Sequence, residues 1–176
     1  MSFRAATPDI ARASTTLDIH FDETDQRCRT ETRFNGALDA VFFRLVIMNN
    51  TGLLQRSCRG HGREVQRGDG ISATVYRENV QLTWATFSYP LPTTLDLIDG
   101  EEHNLDVFFI AADGTIGFAT PNFVRPGNFP PDFFRLHGLY TFSVTVASND
   151  SPARIVRLIL DWRGDWKTAH VRGEIG

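Results

Sequence analysis

Four arginines and a histidine fall within twelve residues, Arg56, Arg59, His61, Arg63 and Arg67, and they are the residues best suited to bind an anion. If 58–65 is one strand, Arg59, His61 and Arg63 share a face at period two, while Cys58, Gly60 and Gly62 point the other way. A guanidinium offers a planar fork of donors that matches a carboxylate or a phosphate, so this row is a candidate binding face. The same row also suits an exposed strand kept soluble by charge, or an edge blunted against aggregation. Gly60 and Gly62 would let another segment come close on the reverse side. A second candidate is aromatic: Phe118, Phe123, Phe129, Phe133 and Phe134 lie in or beside one long connection. Phe129 and Phe133 there could form an apolar contact surface, or the rings could fold back as a lid over the open end of a sandwich.

Other chemistries lack their framework. His20, His61, His103, His137 and His170 are scattered, with no HxH or HExxH spacing. Cys28 and Cys58 are the only cysteines and form no CxxC pair, so no zinc site is expected; two thiols and one disulfide are both open readings. No serine sits in a Gly-x-Ser-x-Gly elbow, and no glycine-rich loop leads from a strand into a helix. Asp96, Asp99, Glu101, Glu102 and Asp106 are numerous enough to suggest calcium or paired-carboxylate chemistry. Their spacing fits a solvated, charged turn better, and Asp22, Glu23 and Asp25 read the same way. The expectation is a chain that is not an enzyme, with no catalytic residue, no cofactor and no metal.

Eighteen basic against 21 acidic residues leave a net charge of −3, which gives no basic excess to draw a polyphosphate backbone. Nucleic acid is therefore not an expected partner; another protein is. No stretch reaches the roughly 20 apolar residues of a membrane span, and no signal-peptide core appears at the N-terminus. A cytoplasmic protein is the expectation, though a piece of a secreted or anchored parent would read the same. The composition specifies no oligomeric state.

The elements that must position these residues are strands. Runs rich in β-branched and aromatic residues at 16–21, 40–48, 58–65, 72–77, 105–111, 139–147 and 153–162 are separated by Gly, Asn, Asp and Pro. The pattern predicts an all-β, immunoglobulin-like antiparallel β-sandwich of about seven to nine strands with one long Pro/Phe-rich loop at 120–137. One domain over 1–176 is expected, its core at about 16–162 and both tails frayed. Tyr140, Phe142, Val144 and Val146 should face the core, with Thr141, Ser143 and Thr145 outside. The next strand alternates less cleanly: Ile155, Leu158 and Leu160 are set against Arg154 and Arg157, which suggests a bulge or two-sided burial near Val156. The polar loop 148–152 should join the two as a hairpin.

Three stretches carry a resemblance. Arg44 to Gly52, followed by Cys58-Arg59-Gly60, resembles the strand, Asn-Thr-Gly turn and Cys-x-Gly strand of uncharacterised bacterial immunoglobulin-like domains. Leu82-Thr83-Trp84-Ala85 with Leu105-Asp106-Val107 is similar to the middle of that pattern, and Gly138 to Val146 through Leu160-Asp161-Trp162 to its last hairpin. The resemblance implies fold more than function: a domain of unknown role, often accessory to something larger. In such domains a Tyr near the start of the penultimate strand bonds nearby backbone. Tyr140 would take that part, and Phe142 would fill the place of the second sandwich cysteine, so Cys28 and Cys58 are not the usual inter-sheet pair. The functional expectation is a noncatalytic interaction or accessory module using Arg59, His61 and Arg63 or Phe129 and Phe133. The alternative is a small-ligand or carbohydrate-binding sandwich, with Trp84, Tyr89 and the loop phenylalanines as stacking surfaces.

Overall fold

The computed structural model describes residues 15–34, 38–68, 74–85, 91–121, 129–130 and 132–176, and among them forms only strands, turns and loops. In chain order the strands are β1 (Asp18–His20), β2 (Arg29–Phe34), β3 (Leu38–Met48), β4 (Gln55–Arg67), β5 (Thr74–Gln81), β6 (Thr83–Trp84), β7 (Leu95–Leu97), β8 (Glu102–Ala111), β9 (Ile116–Phe118), β10 (Gly138–Ala147), β11 (Arg154–Trp162) and β12 (His170–Ile175). All pairings are antiparallel, and they build two sheets that pack face to face as a β-sandwich. One sheet centres on β3 and β8; the other runs β12-β11-β10-β4-β5.

Among the described residues twelve strands form where the turn spacing predicts seven to nine. The excess lies in short pieces that share an edge. β1 and β2 lie end to end along β3, and β6 and β9 along β8. Segments of two or three residues are too short to show a period. The polar segment after Trp162, expected to fray, instead supplies β12, which pairs with β11 from Val156↔Ile175 to Asp161↔His170. The N-terminal tail up to residue 14 lies outside the described residues.

Alternation decides which side chains meet between the sheets. On β3, Val41, Phe43, Leu45 and Ile47 are buried inward. On β8 the ladder passes from Phe43↔Phe108 to Arg44↔Asp106, so Val107 is an extra residue. That bulge shifts the phase and lets Leu105, Val107, Phe108 and Ile110 all reach the core. From the second sheet come Tyr140, Phe142, Val144 and Val146 of β10, as their period requires. On β11 the inward residues are Val156, Leu158, Leu160 and Trp162. Of the bulge or two-sided burial expected near Val156, the ladder of β10 with β11 shows no bulge; on the outer face Ile159 is covered while Ile155 is exposed opposite Thr145. The rings of Phe108 and Phe142 stack across the sheets with centroids 4.1 Å apart. A smaller buried cluster, Ala40, Phe42, Phe109, Ala111 and Ala119, lies on the other face of the first sheet.

The turns are locked by polar groups that find partners inside. Buried Asn49 donates its amide to the carbonyls of Leu53 and Leu97, each at 2.7 Å, while its Oδ1 accepts from Thr51 N and Oγ1. Gln55 donates to Thr51 Oγ1 and accepts from Ser148 Oγ. The network thereby ties together the β3–β4, β7–β8 and β10–β11 connections. Gly52 completes the first of these turns at φ 77°, a conformation that favours glycine. Tyr140 donates its hydroxyl to Leu136 O at 2.6 Å and lies 3.0 Å from Phe133 O, as expected of a tyrosine that bonds nearby backbone.

Gly60 and Gly62 line the inner side of β4. A Cβ at Gly62 would lie 2.7 Å from the Phe118 ring, and one at Gly60 would run into Leu105. Gly62→Val should therefore lower unfolding free energy by about 1–3 kcal/mol through overpacking, measured by urea denaturation. Tyr140→Phe, which strips one buried donor from two carbonyls, should cost about 1–2 kcal/mol in the same measurement.

Candidate functional site

β4 carries two kinds of residue by turns. Gly60 and Gly62 sit inward, so the outward positions Arg59, His61 and Arg63 hold all the functional side chains of this stretch. The row starts after Ser57, a non-glycine residue at φ 51° whose N–H is fixed by Asp96 Oδ1 at 2.7 Å. It ends at a bulge, because the ladder to β10 steps from Gly62↔Val144 to Glu64↔Ser143 and leaves Arg63 as the extra residue. The structure thus brings together the three basic residues of the strand pattern on the outer face of the second sheet.

Neutral groups hold them there. Arg59 Nη1 donates to Ser57 O at 3.0 Å and Asn149 Oδ1 at 2.9 Å. Arg63 donates through Nε to Thr145 Oγ1 at 3.3 Å and through Nη1 to Asn79 Oδ1 at 2.7 Å. His61 Nδ1 meets the same Asn79 oxygen at 3.2 Å. An amide oxygen only accepts, so Nδ1 carries the proton and Nε2 is the nitrogen left to gain one. Neighbouring arginines are neutralised, Arg56 by Asp150 at 3.3 Å and Arg77 by Glu64 at 3.5 Å. Arg59 and Arg63 have no carboxylate partner among the described residues. Desolvation holds the His61 imidazole below its usual pKa; the Asn79 hydrogen bond opposes this, and the Arg63 and Arg59 charges add to it. The face is a fixed set of donors with unspent positive charge.

The aromatic candidate sits elsewhere. Phe133 is buried at 5% exposure, and Phe129 and Phe134 pack partly buried against the core. Phe129 contacts Tyr76, Phe118 and Phe133 with centroids 4.8 to 5.8 Å apart. The described rings, Phe118, Phe129, Phe133 and Phe134, pack inward against the core. Phe123 lies outside the described residues, as does Tyr89. Trp84 is fully buried and donates Nε1–H to Cys58 O, so it offers no stacking face to a sugar.

The acidic residues of 96–106 act locally. Asp96, Asp99 and Glu101 each accept a backbone N–H, from Ser57, Gly52 and Ile98, and Glu102 pairs with Arg27 at 2.7 Å. Asp106 departs from the solvated-turn reading: it is buried and paired with Arg44, and its burial pushes the carboxyl pKa up against the pull of that guanidinium. Cys28 and Cys58 are both buried free thiols, raised in pKa by desolvation, Cys58 to about 11.

One grouping escaped the spacing rules. His20, Asp25 and Cys28 place a donor atom each within 4.8 Å of one another. No familiar motif joins them; the turn between β1 and β2 does. As a nucleophile, base and orienting group the trio is unsuited, since Cys28 is fully buried and its thiol is favoured over the thiolate. No helix among the described residues is long and apolar enough to cross a membrane. No family model, no curated protein and no solved structure matches this chain.

The two arginines beside His61 each help to hold its pKa down. Replacing either by glutamine should raise the midpoint of His61 in an NMR titration, with Arg63→Gln giving the larger shift because it is the stronger of the two charges acting on the ring.

Proposed function

We propose that this chain is a noncatalytic binding module, an immunoglobulin-like sandwich that takes an acidic segment of another protein on the outer face of β4. The observation that carries this is the pair Arg59 and Arg63: both are oriented by neutral acceptors and neither is neutralised by a carboxylate among the described residues. Alternate residues on a regular strand are about 6.6 Å apart, which sets Arg59 and His61 against every second position of an extended peptide, and Arg63 continues the row from the bulge. Each guanidinium keeps donors for a charge-assisted bond, and His61 Nε2 adds a third point of contact that becomes a donor when protonated. The noncatalytic part of the reading is supported by the burial of Cys28: among the described residues a thiol, an imidazole and a carboxylate meet at His20, Asp25 and Cys28, and there the sulfur is closed off from solvent.

A fluorescent peptide of alternating Glu and Ser should bind the chain at low salt and weaken as ionic strength rises, because exposed charges are screened over about 8–10 Å at physiological salt. It should raise the His61 midpoint as it binds. Arg59→Glu/Arg63→Glu, verified as folded by circular dichroism, should weaken binding at least about 100-fold, roughly 2.7 kcal/mol. A folded double variant that binds like the wild type removes the β4 face as the site.

A further inference from the structure

His20 ends β1, and the turn that follows folds back so that Asp25 and Cys28 come under and beside it. Three different donors meet there: an exposed imidazole, a half-buried carboxylate and a buried sulfur. We propose that His20, Asp25 and Cys28 form a site for one divalent transition-metal ion of the zinc type, bound by nitrogen, oxygen and thiolate sulfur with the fourth position open to water.

The donor set selects the class of ion. A thiolate with an imidazole suits zinc and its neighbours, whereas calcium and magnesium want oxygen alone. Zinc bonds of about 2.0–2.3 Å place tetrahedral ligands about 3.3–3.8 Å apart. Donors already within 4.8 Å need to close by no more than about 1.5 Å to reach that geometry. The His20 ring can supply the movement, since it is exposed and has no hydrogen-bond partner among the described residues.

The other two ligands are held in place. Asp25 N donates to Asp22 O at 3.0 Å, and Cys28 N and Arg29 N both donate to Asp25 O at 2.9 Å. Arg27 grips the Asp25 carboxylate with three N–H groups, its backbone N on Oδ1 at 2.8 Å, Nε shared between Oδ1 and Oδ2 at 3.1 and 3.0 Å, and Nη2 on Oδ2 at 2.6 Å, and is itself anchored to Glu102 of β8 at 2.7 Å. A carboxylate has about four acceptor positions, so these three donors orient Asp25 and leave one for the ion. Arg27 and Glu102 would be the outer support that such ligands use. Binding takes Cys28 as the thiolate, its proton passing to solvent. The effect would be structural: β1 pairs with β3 over only three residues, and the ion would fasten its end to the start of β2.

The full-length chain, stripped with a chelator, is titrated with Co2+ and followed by absorption. The expected result is saturation at one equivalent with a thiolate-to-cobalt charge-transfer band that Zn2+ abolishes. Cys28→Ser should lose the band, Cys58→Ser should keep it, and His20→Ala should weaken binding at least about 10-fold. If Cys28→Ser does not fold by circular dichroism, the wild type decides: one equivalent of Zn2+ should shift the His20 ring resonances and leave those of His61, His103, His137 and His170 in place. Absence of the band at one equivalent, its survival in folded Cys28→Ser, or unmoved His20 resonances would overturn the proposal.

Discussion

The sandwich depends on how closely two sheets can approach along one line, where Phe108 of β8 stacks on Phe142 of β10. Around that contact, Phe43 stacks on Phe108 at 4.8 Å and Phe118 meets Phe142 edge-on at 5.6 Å. Such pairs are worth about 0.5–1.5 kcal/mol each beyond the area they bury. Beside them β4, the neighbour of β10, presents hydrogens where a sheet normally presents side chains. Leu105 and Phe118 occupy the volume that Gly60 and Gly62 leave empty.

That constraint reaches the surface. In Arg59-Gly60-His61-Gly62-Arg63 the small inward residues and the cationic outward ones are interleaved, so a single five-residue stretch sets both the spacing of the sheets and the charge of the outer face. The backbone between the arginines is held at His61 and Gly62 by β10 on one side and β5 on the other, with the core beneath, while Arg63 itself is the extra residue of the bulge. Donors mounted on such a strand lose little freedom when they meet an anion, which lowers the cost of binding. The bulge at Arg63 adds to this by turning that side chain toward Thr145 and Asn79.

Much of the architecture was legible because its strands are half-buried. From Tyr140 to Val146 of β10 apolar inward residues alternate with polar outward ones, and of the outward ones only Ser143 is covered, so the period is plain. In β11 period and burial conflict. Ile155 and Ile159 are apolar yet sit on the outer face, one exposed and the other covered, and the eye takes Ile155 for core. β12 was hidden for the opposite reason: in His-Val-Arg-Gly-Glu-Ile only Val171 is buried, and an edge strand with one anchor has no hydrophobic period. The arginine row was readable from residue spacing alone. What holds it was not, since Asn79, Thr145 and Asn149 come from strands and loops 16 to 90 residues away. The Phe-rich stretch posed a real ambiguity, because apolar loop residues look alike in sequence whether they face solvent or fold under. His20, Asp25 and Cys28 were overlooked since their proximity is made by a turn and not by a repeat.

Where a covalent tie could brace the two sheets, Phe142 fills the space with a ring, Tyr140 fastens its end of the strand to backbone carbonyls, and both cysteines remain thiols. Cohesion between the layers is therefore wholly noncovalent. A disulfide would add about 2–4 kcal/mol by restricting the unfolded chain, and that contribution would vanish in a reductant. This sandwich has no such term to lose, so a reductant removes nothing that holds its two layers together.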